Sequence, residues 1–457
     1  MRENTTDDTS DSGIVKYAIE DQPPLGEAIP LGLQHLGAMF LSTVALPLVI
    51  AGAIGLSAAE TTYVVQMALL VAGIATLVQA YSVGPVGARL PIVMGTSAIF
   101  VAPLIDIGTS FGVAALFGAV IVAAPIEIVI GYFYDDLQRL FPPLVTSIVV
   151  MLVGLTLIPV AIDYAAGGPG AETYGEFTNI GLALLVFAVA VGLNQFLEGF
   201  LSVASVLIAV VVGYLAAIPL GLLDLSGVAS AGLVSLPRPL EFGVSFEPTA
   251  ILIVAFAYVI TSIETIGDIE GTTGTVDRRP SSDEMEGGLV ADGVMSMIAG
   301  LFGAFPNTSF SQNVGLIGFT GVASRVVVAI CGVFLIVLGF LPKVAAVVGA
   351  MPNPVLGGAA IVLFGMIFSI GLRIFADRVA STRRNLTIVA VSVVLGVGVE
   401  VRPDAVSAFP DEAQVLLGSG LLVGGITAVV LNAILPEDGP ATPESAPASE
   451  SVTTQSK

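Results

Sequence analysis

Met94-Gly-Thr-Ser-Ala-Ile-Phe100 and Phe305-Pro-Asn-Thr-Ser-Phe310 are built alike, each setting Thr and Ser beside Gly or Pro. Those residues suit backbone that is not helical. What surrounds them is the opposite. The chain has 457 residues, 55% hydrophobic and only 11% charged, with mean hydropathy +0.97. A soluble domain carries about 25% charged residues. Here Val113–Ile130 holds a single carboxylate and Leu386–Val399 holds no charge. Apolar runs of about 18 to 20 residues match a hydrocarbon core about 30 Å thick. The pattern predicts an all-α membrane protein with about fourteen spanning segments.

The first stretch lies early in the third segment, 92–106, and the second leads into the tenth, 313–323, and both segments look too short to cross as plain helices. They hold matching places in two sets of seven. Seven is odd, so the second set must run through the membrane in the opposite sense. The repeats are expected at about 28–221 and 249–435. Irregular backbone at membrane depth survives only where protein or a wet cavity satisfies its N–H and C=O groups. A cavity is therefore expected between residues 96–100 and 308–313. Paired, interrupted segments of this kind point to the binding site of a transporter.

Basic residues set the orientation. With an even count and the N-terminus inside, only Arg238, Lys343 and Arg402 of the 15 basic residues fall outside. That bias predicts a multi-pass protein of the cell membrane with both termini cytoplasmic. Residues 1–26 and 436–457, rich in Asp, Glu, Thr, Ser and Pro, read as disordered tails around a transmembrane domain at 27–435. Net charge is −21, from 36 acidic and 15 basic residues, which argues against nucleic acid as a partner. Such acidity predicts a salt-rich host cytoplasm, and a host proteome of ordinary pI would refute that.

Ionisable groups inside spans cost roughly 2.5–3.5 kcal/mol each at a helix centre, so each needs a reason. Ser262-Ile-Glu264-Thr-Ile-Gly-Asp268 places two acids at i and i+4 on one helix face. Their like charges repel, so one is expected to carry a proton or to accept from a neutral donor. Glu264 is expected in the site. Asp268 is open between the site and a solvated cytoplasmic end. Asp292, early in the ninth segment, reads either as a proton carrier or as an anchor for a loop. His35, the only histidine, reads better as a hydrogen-bonded packing element than as a relay, and no partner is evident for Glu127. In Ser309-Phe-Ser311-Gln312-Asn313-Val-Gly315, amide side chains stand at the start of a half-helix, where free N–H groups and a positive dipole end gather. A Gln amide both donates and accepts, which complements the amide edge of a heterocycle. Glu264 opposite could accept from ring N–H groups.

At these residues the sequence resembles the nucleobase–cation symporter-2 family, also called nucleobase–ascorbate transporters. That family's signature of Gln or Glu, Asn, any residue, Gly, four residues and Thr appears as Gln312-Asn313-Val-Gly315-Leu-Ile-Gly-Phe-Thr320. Gln34-His35, the Glu264-x-x-Gly-Asp268 pattern and Gly287-Gly-x-x-Ala-Asp292-Gly293 also match in order. The resemblance implies two inverted seven-span repeats divided into core and gate domains, short strands in spans three and ten, and a homodimer in the lipid. It implies uptake of xanthine, urate, uracil or another base with protons, or with sodium in some members, and no cofactor. By resemblance Glu264 and Gln312 bind the base, with Ser97, Ala98 and Ser311 beside it. Asn313 shapes the segment, Asp292 couples the proton and His35 supports the network. Gln at 312 and Asp at 268 favour the xanthine and urate branch over uracil carriers, which tend to have Glu and His. Many members place Phe where this chain has Ala98, so the stacking ring is expected from Phe100 or Phe310.

Two other readings remain. Sulfate and bicarbonate carriers share this fold, but an anion would meet Glu264. A membrane-embedded enzyme has little to work with, since one His and one Cys (Cys331) leave no Cys/His metal site and no hydrolase motif is present.

Overall fold

The computed structural model describes residues 15–134 and 142–436. Among them, nine helices are long and apolar enough to cross a membrane, or ten if one sharply bent pair is counted. In chain order the main elements are α1 (Leu25–Ala53), α2 (Ala58–Tyr81), β1 (Met94–Thr96), α3 (Val101–Phe111), α4 (Val113–Ala123) and α5 (Pro125–Tyr132). There follow α6 (Pro143–Thr156), α7 (Ile158–Ala165), α8 (Phe177–Phe196), α9 (Ser205–Ala217), α10 (Pro248–Gly274) and α11 (Ser282–Phe302). The last are β2 (Asn307–Ser309), α12 (Ser311–Thr320), α13 (Arg325–Gly339), α14 (Pro342–Gly349), α15 (Asn353–Arg378), α16 (Arg383–Val401) and α17 (Gly420–Ile434).

Local chemistry sets these boundaries. The Ser57 hydroxyl accepts from the Glu60 N–H while the Glu60 carboxylate accepts from the Ser57 N–H, a reciprocal cap that starts α2, and Ser281 with Glu284 starts α11 in the same way. Pro125 divides α4 from α5, and Pro342 stands where α13 turns by 83° into α14. A proline removes an N–H and clashes with the preceding turn, which is why the breaks fall there.

The helices pack in two groups. One contains α1, α2, α4, α5, α10, α11 and α13; the other contains α6 to α9 and α15 to α17. Contacts are close because small residues face each other: a Cβ on Gly73 of α2 would lie 2.5 Å from the Gly332 carbonyl oxygen of α13. Between helices of the first group run β1 and β2, paired antiparallel with Met94 opposite Ser309, Gly95 opposite Thr308 and Thr96 opposite Asn307. Both expected strands are present, and they pair with each other.

The described part of the expected N-terminal tail departs from free chain. The Lys16 N–H donates to the Gly321 carbonyl at 2.7 Å, the Arg325 N–H donates to Ile19, and Ser324 Oγ donates to the Asp21 carbonyl at 2.6 Å. The segment before α1 thus lies along the turn between α12 and α13, because that turn leaves backbone groups for it to pair with. Residues 1–14 and 437–457 lie outside the described residues.

Candidate functional site

Two short strands bring the site together. The strand pair continues at both ends, with the Ser97 N–H donating to the Pro306 carbonyl at 2.9 Å and the Phe310 N–H to Val93 at 3.0 Å. β1 then passes through a 3-10 turn at Ala98–Phe100 into α3, and β2 passes into α12. Two half-helices therefore begin at the strand pair, each with its N-terminal N–H groups beside the strands. Gly95 makes the crossing possible. A Cβ there would lie 2.4 Å from Thr43 Oγ1 and 2.5 Å from the Phe310 ring. Gly95→Ala is expected to push Phe310 off the strand and destabilise the protein by about 1–3 kcal/mol. A lower melting temperature of the purified protein would show it, and an unchanged one would refute it.

Acids and hydroxyls of α10 and α11 hold this frame. Asp268 is buried and accepts from Ser309 Oγ and Ser311 Oγ, both at 2.6 Å, so one carboxylate joins the end of β2 to the start of α12. Glu264, one turn earlier on α10, is only half-buried and accepts from Thr308 Oγ1 at a long 3.4 Å. Asp292 is wholly buried; Thr265 Oγ1 donates to its Oδ2, while its Oδ1 has no partner. Ser296 Oγ ties α11 to β2 by donating to the Asn307 carbonyl at 3.2 Å and accepting its N–H at 3.0 Å.

On the far side of α12, Asn313 Nδ2 lies 3.0 Å from His35 Nδ1 and donates to the His35 carbonyl at 3.1 Å. That fixes α12 to α1 and leaves His35 as a buried packing element. Gln312, the preceding residue, differs. It is half-buried, and its amide bonds to no protein group among the described residues. Glu264 and Gln312 are thus the polar groups that the frame leaves available.

The nucleobase–cation symporter-2 family model, described as "Permease family", matches residues 26–405. This chain belongs to that family. Among its relatives, the xanthine permease of Bacillus subtilis is 36% identical, over 90% of this chain and 94% of the relative. The uric acid permease PucK of the same organism is 38% identical over 88% and 94%. The xanthine permease XanP of Escherichia coli K12 is 39% identical over 92% and 95%. In fold the chain is similar to the transmembrane domain of the cyanobacterial bicarbonate transporter BicA, with TM-score 0.57 at 15% identity, covering 91% of this chain and all of that one. It is likewise similar to the SLC26A9 structure, with TM-score 0.58 at 14% identity, covering 89% and 64%. The protein is a multi-pass membrane permease and not an enzyme.

Seen as a symporter-2 permease, the chain corrects several expectations. Asp268 is not a solvated helix end, because two hydroxyls from the binding segment close over it. Phe100 is not an open stacking surface: it is 0% exposed and packs edge-on against Tyr258, with ring centroids 4.7 Å apart. The 3-10 turn carries its ring into the core and leaves Ala98 half-exposed in its place. Phe310, lying over Gly95, is also buried but keeps 7% of its surface exposed beside the strands. Ser97 caps the turn by accepting from the Ile99 N–H, and Ser311 is committed to Asp268. Thr265, Thr308 and Ser296 were not singled out from sequence. Hydroxyls in apolar helices usually bond their own backbone one turn back, and nothing local shows that these reach across.

Proposed function

We propose that this permease imports a purine nucleobase, xanthine or urate, together with a proton, by alternating access. The observation that carries the reading is the pair Glu264 and Gln312, both part-exposed where strands and half-helices meet, while the neighbouring polar groups are consumed by the frame. A carboxylate accepts from ring N–H groups, and an amide side chain matches a carbonyl beside an N–H. Phe310 supplies an apolar face for the ring. The names of the relatives point to the same substrates. Gln at 312 favours xanthine and urate over uracil, and a free anion would face Glu264 with no cation to offset it.

The same reading extends to architecture. The long helices, the bent pair, the shorter apolar helices and α12 would together make the fourteen segments of two inverted repeats. The first packing group would be the moving core and the second the gate, with a homodimer formed in the cell membrane and both termini cytoplasmic. Asp292 would take the proton, sodium being the other candidate ion.

Uptake of radiolabelled xanthine by cells without their own purine carriers tests this, with urate, guanine, hypoxanthine and uracil as competitors. Saturable uptake blocked by urate but not uracil, and abolished by a protonophore, is expected. Block by uracil alone would overturn the specificity, and uptake indifferent to the protonophore would overturn proton coupling.

A further inference from the structure

We infer that Glu127 is the second member of a proton-carrying carboxyl pair with Asp292, an inference that rests on the proton-symport reading above. Glu127 lies on α5, is 0% exposed, and neither of its carboxyl oxygens has a hydrogen-bond partner. Asp292 Oδ1 on α11 is equally bare. Two unpartnered carboxyls stand on helices that pack against each other. Contact is tightest beside Asp292, where a Cβ on Gly293 would lie 3.0 Å from the Glu127 Cβ.

The groups facing Glu127 are Asp292 from α11 and Tyr258, Thr261 and Glu264 from α10; α4 brings no titratable side chain. Both hydroxyls near it are engaged by backbone carbonyls. Tyr258 OH donates to the Val120 carbonyl at 3.2 Å, and Thr261 Oγ1 donates to the Ala257 carbonyl at 3.0 Å. No ion pair among the described residues involves any of these acids. A structural glutamate would be expected to meet a donor or a cation, since a bare buried carboxylate costs several kcal/mol. Two adjacent acids remove much of that cost by sharing one proton, the O–H of one donating to the carboxylate of the other. The transfer is simple: the proton leaves a Glu127 oxygen, binds Asp292 Oδ1, and the negative charge moves to Glu127. Glu127 thereby extends the path from the substrate side, Glu264, through Asp292 to a position behind α11.

Glu127→Gln keeps the size and removes the exchangeable proton. In proteoliposomes carrying a lumenal pH dye, the variant is expected to retain xanthine counterflow. Xanthine-driven proton movement and pH-driven accumulation are expected to fall at least about tenfold. Glu127→Leu is expected to lose accumulation as well. If either variant accumulates xanthine like the wild type, Glu127 only fills space and the pair is overturned. If the wild type moves no protons with xanthine, the symport reading falls first. Should the variants not fold, the wild-type infrared difference spectrum on adding xanthine decides. A change in two protonated-carboxyl bands, both altered in Asp292→Asn, supports the pair; no change, or a change in a single band that Asp292→Asn removes, overturns it.

Discussion

Glu264→Gln is expected to reduce xanthine uptake to the level of cells lacking the permease, with the protein still present in the membrane. Glu264 is half-buried and holds its only protein contact, Thr308 Oγ1, at 3.4 Å, so its acceptor capacity is left for a ligand. A hydrogen bond to a charged group contributes about 1.5–3 kcal/mol, and leaving a buried donor unsatisfied costs about 1–3 kcal/mol more. A glutamine can turn its carbonyl to the base, but its NH₂ can then only donate, which the Thr308 hydroxyl tolerates by turning round and a second ring N–H does not. The combined loss is about 3–5 kcal/mol, or roughly 10²- to 10⁴-fold in affinity. Competition binding to purified protein measures it directly. Affinity within about threefold of wild type, less than one hydrogen bond, would remove Glu264 from the binding role.

Asp268 is the contrasting neighbour, and the contrast shows what a sequence can carry. The i, i+4 spacing puts both acids on one face, which was legible, but their different duties were not. Duty depends on the hydroxyls of Ser309 and Ser311, which reach Asp268 only because β2 pairs with β1 and passes into α12 at that point. The pairing itself was half-legible: Gly, Pro, Thr and Ser in two short segments announced irregular backbone, and matching positions announced a meeting place. Side-chain direction was not legible. Ala98 and Phe100 are two residues apart, yet the 3-10 turn sends the ring into the core beside Tyr258 and leaves the methyl group at the site. Glu127 had no partner in the sequence for a related reason, since α11 comes against it only where Gly293 leaves room for its Cβ. Composition and spacing locate the meeting place of two irregular segments and the acids near it; which acid is braced by hydroxyls and which is left half-exposed is decided by contacts between distant segments.

Asp292→Asn is expected to abolish accumulation of xanthine while leaving exchange across the membrane. The carboxyl is wholly buried, receives one hydrogen bond from Thr265 and keeps one oxygen bare. An asparagine preserves the Thr265 contact through its carbonyl oxygen, so the link between α10 and α11 is retained. What it removes is the ability to gain and lose a proton. A carrier that moves its substrate without a coupled ion can only equalise concentrations, so the inside-to-outside ratio is expected to fall to about one however steep the proton gradient. Counterflow of labelled against unlabelled xanthine needs no net proton movement and is expected to continue. Thr265→Val separates this from a structural loss. Removing the hydroxyl leaves Asp292 ionisable but without its donor, so accumulation is expected to be weakened with its pH profile shifted, whereas Asp292→Asn should show no accumulation at any pH. Active accumulation by Asp292→Asn would transfer the coupling role elsewhere, with Glu127 and Glu264 as the remaining buried or half-buried acids on the same path.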